Sequence, residues 1–480
     1  MTTATSCPTP SAARVHAFTN DVLADHDAVA LAALIRGRHI SAAEAAAAAI
    51  ARAGRVNEVL NAIALPTFEA ARVAARTPRG GVFAGVPTFI KDNTHLAGLP
   101  TRYGSRAVGA RPASTTDAFA AQFLDQGFTV LGKSSMPAFG FNATTEFAGE
   151  PPTRNPWNPG YSSGGSSGGA AAMVAAGVVP VAHGNDGGGS IRTPASCCGL
   201  VGLKPTRGRF VASASARVTP IKTIADGILS RSVRDQAAFV AGMERTWRNP
   251  KLPPVGLVEG PGTKPLRIGL VLDSMTDTPT CAQTRSVVDE TARLLEGMGH
   301  RIEPMQLPVP VSFKDDFALY WGFMAFMLGL VGRFAVSPDF DATRLDSFHR
   351  GLVDYFRKRA AATPRMLYRL RRTAAQYAAG IAGCDAVLSP VVAHEVPELG
   401  HLSPEVPFET LFPRLIRFSA FTPLNNATGS PAISLPMGAS ANGLPIGVQL
   451  AAAHGGERTL LELAFALEAA KPFRKIAAPA

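Results

Sequence analysis

Short helical patterns alternate with short buried-strand patterns along this chain, which predicts an α/β fold built around one layered core. The composition agrees. Apolar residues make up 46% and charged residues 17% of 480 positions, a core-rich balance far from that of disordered chains. Length alone would favour two or three domains. No Pro- or Gly-rich stretch reads as a linker able to cut the chain, so a single domain over residues 1–480 is expected.

The elements follow in order. Residues 26–37 and 42–55 have amphipathic helical spacing, and the second opens on Ser41 with Glu44 three residues on, a capping box. Residues 82–91 read as an approach and a short buried strand ending at Lys91. Residues 117–126 are helical, 128–133 form a buried strand, and an Ala/Val helix covers about 169–177. Ser232 caps a helix running to Met243. Residues 247–265 look like a surface connection, 266–272 a fresh strand, and a helix starts near 282 and ends at Gly297 or Gly299. Residues 313–383 are mainly helical. Residues 431–437 and 444–451 pair around Asn442-Gly443, and a helix over 457–470 closes the chain.

Several function classes lose support at once. The five cysteines (Cys7, Cys197, Cys198, Cys281, Cys384) are odd in number and match no zinc spacing. Reduced thiols and a cytoplasmic protein are expected, with no metal and no cofactor. The N-terminal stretch MTTATSCPTPSAARVHAF lacks the apolar segment of a secretory signal. The longest apolar run, Phe317 to Gly332, is 16 residues, short of a membrane span of roughly 18. Net charge is +11, and it concentrates in one place. Arg357, Lys358, Arg359, Arg365, Arg369, Arg371 and Arg372 follow one another without an acid. A solvated helix face is the plain reading. A weak peripheral contact with an anionic membrane is the sharper one. Nucleic acid is disfavoured, because only Tyr368 is interleaved. A homodimer is a further expectation.

The chemistry concentrates between residues 164 and 194, which read GGSSGG, an alanine-rich stretch, then HGNDGGGSIRTP. Two patterns nearby are decoys. Gly127 to Ser134 fits the phosphate-binding loop G-x-x-x-x-G-K-S, but its middle four residues are themselves a strand, and Pro137 interrupts the helix that should follow. Gly164 to Gly168 fits the G-x-S-x-G nucleophile elbow with Ser166 central. That alternative, a Ser-His-Asp hydrolase, needs a strand running into the turn, whereas RNPWNPGYSS reads as irregular. It also leaves Lys91 and the second turn unused. His183 reads as a packed residue rather than a base.

A lysine and two spaced serines suit carbonyl attack without histidine. Serine is a poor nucleophile until a base removes its proton. Lysine is that base only when neutral, and burial after the apolar run Val86–Ile90 drives Lys91 that way. Strand alternation sends Asp92 to the opposite face. Gly187, Gly188 and Gly189 let backbone amides converge on an oxyanion. Ser190 follows them in position to attack, and Asp186 with Arg192 braces the turn.

These stretches resemble the amidase signature family. The resemblance rests on GVPTFIKDN, VLGKSSMPAFGFNATTE, the block from TRNPWNPGYSSGGSSGG through HGNDGGGSIRTPASCCGLVGLKPTRGR, and PAISLPMGASANGLPIGVQLA. It covers nearly the whole chain, with a weaker match over about 245–380. The motif-carrying core falls at about 70–245 and 385–470, and a variable helical pocket region at about 313–383. The texture is similar to bacterial members that include 6-aminohexanoate cyclic dimer hydrolases.

The resemblance implies one domain, a twisted mixed β-sheet covered by α-helices on both faces. It implies Ser190 as nucleophile, Ser166 as a bridging serine after a cis peptide at Gly165, and Lys91 as base. The amides of Gly187, Gly188, Gly189 and Ser190 would form the oxyanion hole, with Ser167, Asp186 and Arg192 supporting the site. Asn185 stands where Thr or Ser is usual. The expected activity is hydrolysis of a small-molecule amide through an acyl-enzyme. Tyr320, Trp321 and Phe323 are candidate pocket residues that favour hydrophobic or aryl groups. A glutaminase subunit of a tRNA-dependent amidotransferase is the alternative within the family, but TPIKTIADGILSRSVRD lacks the SSLDQ-like stretch of that subunit.

Overall fold

The computed structural model describes residues 14–276, 279–307 and 309–477. Cys7 and most of the N-terminal stretch read above lie outside them. In chain order the strands are β1 (Ile63–Pro66), β2 (Pro87–Lys91), β3 (Thr129–Ser134), β4 (Arg154–Asn155), β5 (Asn158–Ser162), β6 (Val181–Asp186), β7 (Val201–Lys204), β8 (Ala225–Ser230), β9 (Arg267–Leu270), β10 (Arg301–Pro304), β11 (Ala386–Pro390), β12 (Ala432–Ala439) and β13 (Pro445–Ala451).

Eight of them make one mixed sheet in the order β10-β9-β11-β13-β12-β7-β8-β6. The β9, β10 and β11 pairings are parallel. From β11 through β13, β12, β7 and β8 to β6 the pairings are antiparallel. Every residue of β6, β7, β8, β11 and β13 is buried, as expected of strands with helices over both faces. β1, β3 and β2 form a second small sheet, in which Lys91 lies beside Ser134 in parallel register. One apolar cluster runs from Ala17 to Ile476, so residues from both ends of the chain share a core.

Local signals explain the helices. Ser41 Oγ accepts the Glu44 N–H at 3.1 Å, and Glu44 Oε2 accepts the Ser41 N–H at 2.8 Å. This capping box starts the helix Ala42–Leu60. Ser232 caps Val233–Thr246 by accepting the Asp235 N–H. The helix Ala282–Gly297 ends where Gly299 turns to φ 89°.

One expected irregular stretch is ordered. RNPWNPGYSS forms the short antiparallel pair β4–β5, held by Asn155, whose side-chain amide donates to Ser162 O and Cys197 O. Cys197, Cys198, Cys281 and Cys384 are free thiols. The apolar run of 317–332 lies in a 23-residue helix, Phe313–Ala335. It is tied to the helix Thr363–Gly380 by Arg369, whose Nε donates to Asp316 Oδ2 at 2.7 Å. Other members of the basic run are used locally: Arg359 lies 4.1 Å from the Tyr355 ring centroid and Arg357 pairs with Asp354 at 3.8 Å.

Candidate active site

The apolar strand β2 delivers Lys91 into the interior, where it is 0% exposed. Its Nζ lies 2.7 Å from Ser166 Oγ, 2.9 Å from Ser167 Oγ and 2.7 Å from Asn185 Oδ1. Among the described residues no carboxylate bonds to it. Asp92 points elsewhere, to Lys133 Nζ at 3.6 Å and the Arg102 N–H. Burial pushes the Lys91 pKa down to about 7, and the charges of Asp186 and Asp226 only partly oppose the drop.

The first glycine-rich turn presents Ser166 to this nitrogen. The Gly165–Ser166 peptide is cis. A Cβ on Gly165 would lie 2.7 Å from the Thr144 nitrogen, so only glycine fits this approach of two backbones. Thr145 Oγ1 donates to Gly164 O at 2.9 Å and fixes the turn from the same side. The helix Gly168–Ala175 begins at once, with every residue buried. On the far side of Ser166 stands Gly140, at φ 74°, where a Cβ would come within 3.0 Å of Ser166 Oγ.

Strand β6 supplies the other wall. Asn185 and Asp186 end it, and the chain then turns through Gly187, Gly188 and Gly189 to Ser190. Asp186 organises this second turn. Its carboxylate accepts the N–H groups of Gly189 (2.7 Å) and Ile191 (3.2 Å), and it receives Arg192 Nε and Nη2 at 2.9 Å each. Asn426 Nδ2 adds a contact at 2.8 Å. Burial alone would raise the Asp186 carboxyl, but Arg192 holds it well below the ordinary carboxylate range. Arg192 reaches onward to Gln449 Oε1 (2.7 Å) and Asn426 Oδ1 (2.7 Å). Ser167 N–H donates to Ser190 O at 3.2 Å and joins the two turns.

Of the four amides expected to face an oxyanion, Gly189 is already committed to Asp186. The Gly187, Gly188 and Ser190 N–H groups make no turn or loop backbone bond among the described residues. Glycine is required only at Gly189, which has φ 130° and would place a Cβ 2.3 Å from Thr422 Oγ1. Gly187 and Gly188 meet neighbours no closer than 3.4 and 3.8 Å, which leaves space in front of the turn. Ser190 is half-buried, and no hydrogen bond joins its hydroxyl to Ser166 or to Lys91.

That space is roofed by the helix Phe313–Ala335. From this helix Phe317 reaches within 3.8 Å of the Gly188 Cβ position, and Ile224 lies 3.4 Å from that of Gly187. Phe317, Trp321, Met324 and Leu328 share one helical face, and Leu328 packs against the buried cluster of Ala107, Val108, Phe340 and Leu345. Of the candidate pocket residues, Trp321 lies on this face and contacts Phe348 and Phe412 edge-on. Tyr320 does not line the space. It is 3% exposed, and its hydroxyl donates to Ile221 O at 2.9 Å while accepting the Ile221 N–H. Phe323 turns toward Phe356 and Tyr320. The Tyr320 hydroxyl and the two-residue helical rotation from Trp321 to Phe323 decide these placements, and aromatic content alone does not carry either signal. A separate polar cavity of about 560 Å³, lined by Asp92, Arg102, Met136, Glu146, Arg344 and Asp346, does not include Lys91, Ser166 or Ser190.

Ser166 Oγ has Lys91 as its partner rather than a histidine. His183 Nδ1 accepts the Lys91 backbone N–H at 3.2 Å. Among the described residues no cluster of His, Cys, Asp and Glu is arranged to hold a metal.

A family model described as Amidase matches residues 44–461. This chain belongs to the amidase family. The amidase is 47% identical over 464 residues to a Mycobacterium leprae protein named AmiC, covering 96% of this chain and 99% of that protein. It is 36% identical over 480 residues to the 6-aminohexanoate-cyclic-dimer hydrolase of a Pseudomonas species, covering 93% and 95%. A solved structure of 6-aminohexanoate cyclic dimer hydrolase matches the amidase with TM-score 0.84 and 32% identity, over 96% of this chain and 99% of that one. The mixed α/β architecture is that of the amidase signature enzymes, and the protein is an amide hydrolase.

Proposed function

We propose that this amidase cleaves hydrophobic or aryl small-molecule amides with Ser190 as nucleophile, Ser166 as relay and neutral Lys91 as base. The observation that carries this reading is the set of oxygens around Lys91 Nζ. A neutral amine has two N–H groups and one lone pair. Asn185 Oδ1 can only accept. Ser167 Oγ directs its own proton to Asn185 O at 3.4 Å, so it accepts from Lys91 as well. Both N–H groups are then used, which leaves the lone pair for the Ser166 hydroxyl at 2.7 Å, since the Asn185 carbonyl oxygen lies farther away at 3.5 Å. This is the direction in which a proton must travel for Lys91 to act as base.

Ser190 turns its hydroxyl toward Ser166 by side-chain rotation. As Ser190 Oγ attacks the amide carbon, its proton passes to Ser166 and that of Ser166 to Lys91. The oxyanion is received by the N–H groups of Gly187, Gly188 and Ser190. Gly189 takes no part, because its N–H serves Asp186. The Lys91 ammonium returns its proton through Ser166 to the leaving nitrogen, the C–N bond breaks, and an acyl-Ser190 ester remains. Water then attacks the ester, gives its proton to the same relay and regenerates Ser190. Burial lowers the Lys91 pKa to about 7, which brings the neutral amine within reach near neutral pH. The Phe317–Leu328 face supports an apolar acyl or aryl group. Hydrolysis of a p-nitroanilide at pH 7 tests the base: Lys91→Ala should lose about 10³-fold or more in kcat/KM, and full activity would refute it.

A further inference from the structure

Strand β6 meets Lys91 with a second residue on the same face as Asn185, two positions earlier. His183 is 1% exposed, between the rings of Phe119 and Phe123 at 5.2 and 5.7 Å. Its Nδ1 accepts the Lys91 backbone N–H at 3.2 Å. A ring nitrogen that accepts carries no proton, so the neutral ring holds its proton on Nε2. Nε2 faces Asp226 Oδ1 at 3.5 Å. Asp226 comes from β8, directly opposite Asn185 in the register. His183 Nε2 and Asp226 Oδ1 are both wholly buried, and neither has a hydrogen-bond partner among the described residues. Each is therefore left to the other. Asp226, His183 and the Lys91 backbone form a line across three strands that ends on the residue in contact with Ser166. The proton path above uses neither His183 nor Asp226.

We infer that His183 and Asp226 are positioning residues for Lys91. Asp226 selects the Nε2–H tautomer of His183, His183 anchors the Lys91 backbone so that Nζ reaches Ser166, and the Asp226 carboxylate balances the charge Lys91 gains on taking a proton. The inference rests on Lys91 being the base. The charged groups around Lys91 bear on its sign. Asp186 closes β6, but its charge is shared with Arg192 at 2.9 Å. Lys204 of β7 faces that same pair. Asp92 and Lys133 pair with each other at 3.6 Å. Asp186 acts on Lys91 more strongly than Asp226 does, but Asp186 also holds the Gly189 and Ile191 amides and Arg192, so Asp226 is the carboxylate that can be changed without dismantling the second turn. Together with Asp186, the charge of Asp226 opposes the lowering of the Lys91 pKa by burial. Removing that charge favours the neutral amine at lower pH.

The test is the rate at which a fluorophosphonate labels Ser190, followed by intact mass against pH. In that reaction the Ser190 O–P bond forms, fluoride leaves, and the serine proton passes through Ser166 to Lys91. Asp226→Asn should move the acid limb of the rate profile to lower pH by about 1 unit. His183→Leu should slow labelling about 10-fold, and His183→Asn, whose side-chain oxygen can replace Nδ1 as acceptor, should restore most of the rate. A purely structural role would lower Tm without moving the limb. An unmoved limb in folded Asp226→Asn, or His183→Asn no faster than His183→Leu, would overturn the inference. Lys91→Ala separates the two levels. Wild-type labelling in that variant removes Lys91 as base altogether. Slow labelling there, beside an unmoved limb in Asp226→Asn, removes only the role of His183 and Asp226.

Discussion

The polar floor of the site and the apolar roof above it are built on opposite principles. In the floor, Asp186 alone engages the Gly189 and Ile191 amides, Arg192 and Asn426, and Lys91 Nζ has three side-chain oxygens within 2.9 Å. Buried polar groups in such a network each depend on the others for satisfaction, so little can be exchanged. In the roof, Phe317, Trp321, Met324 and Leu328 are half-buried carbon surface, and no hydrogen bond fixes which side chain stands at which step. A floor of this kind holds reacting atoms in place, and a roof of this kind can be repacked for different acyl or amine groups.

The sharpest way to break the contrast is to disable the floor without unfolding it. Ser190→Ala should cost about 10⁴-fold or more in kcat, and Lys91→Ala about 10³-fold, with circular dichroism unchanged. Lys91→Met should also raise stability at pH 7. A buried amine with a lowered pKa binds fewer protons folded than unfolded between about pH 7 and pH 10. Wild-type stability therefore gains with rising pH across that window, and the gain should be absent in Lys91→Met.

Next comes the brace. Arg192→Ala leaves the Asp186 carboxylate buried and unpaired, and should cost about 3–5 kcal/mol in urea unfolding. Asp186 is held below its ordinary range, so its contribution is present above about pH 4 and lost on acidification. Asp186→Asn should flatten that acid dependence. The roof should respond least. Phe317→Ala is expected to change kcat/KM for an aryl amide by about 10-fold while leaving that for acetamide nearly unchanged. An equal loss on both would place Phe317 with the floor.

Lys204 sharpens the same contrast. It is 1% exposed, and burial pushes its pKa to about 7, as for Lys91. Yet among the described residues its Nζ donates to the Pro205 carbonyl alone, at 2.8 Å. Burial thus lowers the pKa of both lysines, and Lys91 differs in having two serine hydroxyls beside its Nζ.

The floor was legible because its chemistry needs particular residue types at fixed spacing. Lys91 after an apolar run, GGSSGG and DGGGS drew attention without any structure. The strand that leads into DGGGS and carries Asn185 and Asp186 was not legible. His183-Gly184-Asn185-Asp186 has none of the β-branched or aromatic residues that mark strands, and β6 is held instead by full pairing with β8 and burial on all sides. Asn185 stood out only as a departure from pattern, since contact with Lys91 Nζ is a tertiary fact. The roof was legible as a helix but not by face. Tyr320 and Phe317 are three residues apart, and which one faces Gly188 is set by packing on Ile221 and Phe356.

The most direct measurement is the site and rate of fluorophosphonate labelling in wild type, Ser190→Ala, Ser166→Ala and Lys91→Ala at pH 7. A single adduct on Ser190, absent in Ser190→Ala and slowed about 10²-fold or more in the Ser166 and Lys91 variants, is the predicted result. An adduct on Ser166, or labelling of Lys91→Ala at the wild-type rate, would contradict a lysine acting through Ser166 on Ser190.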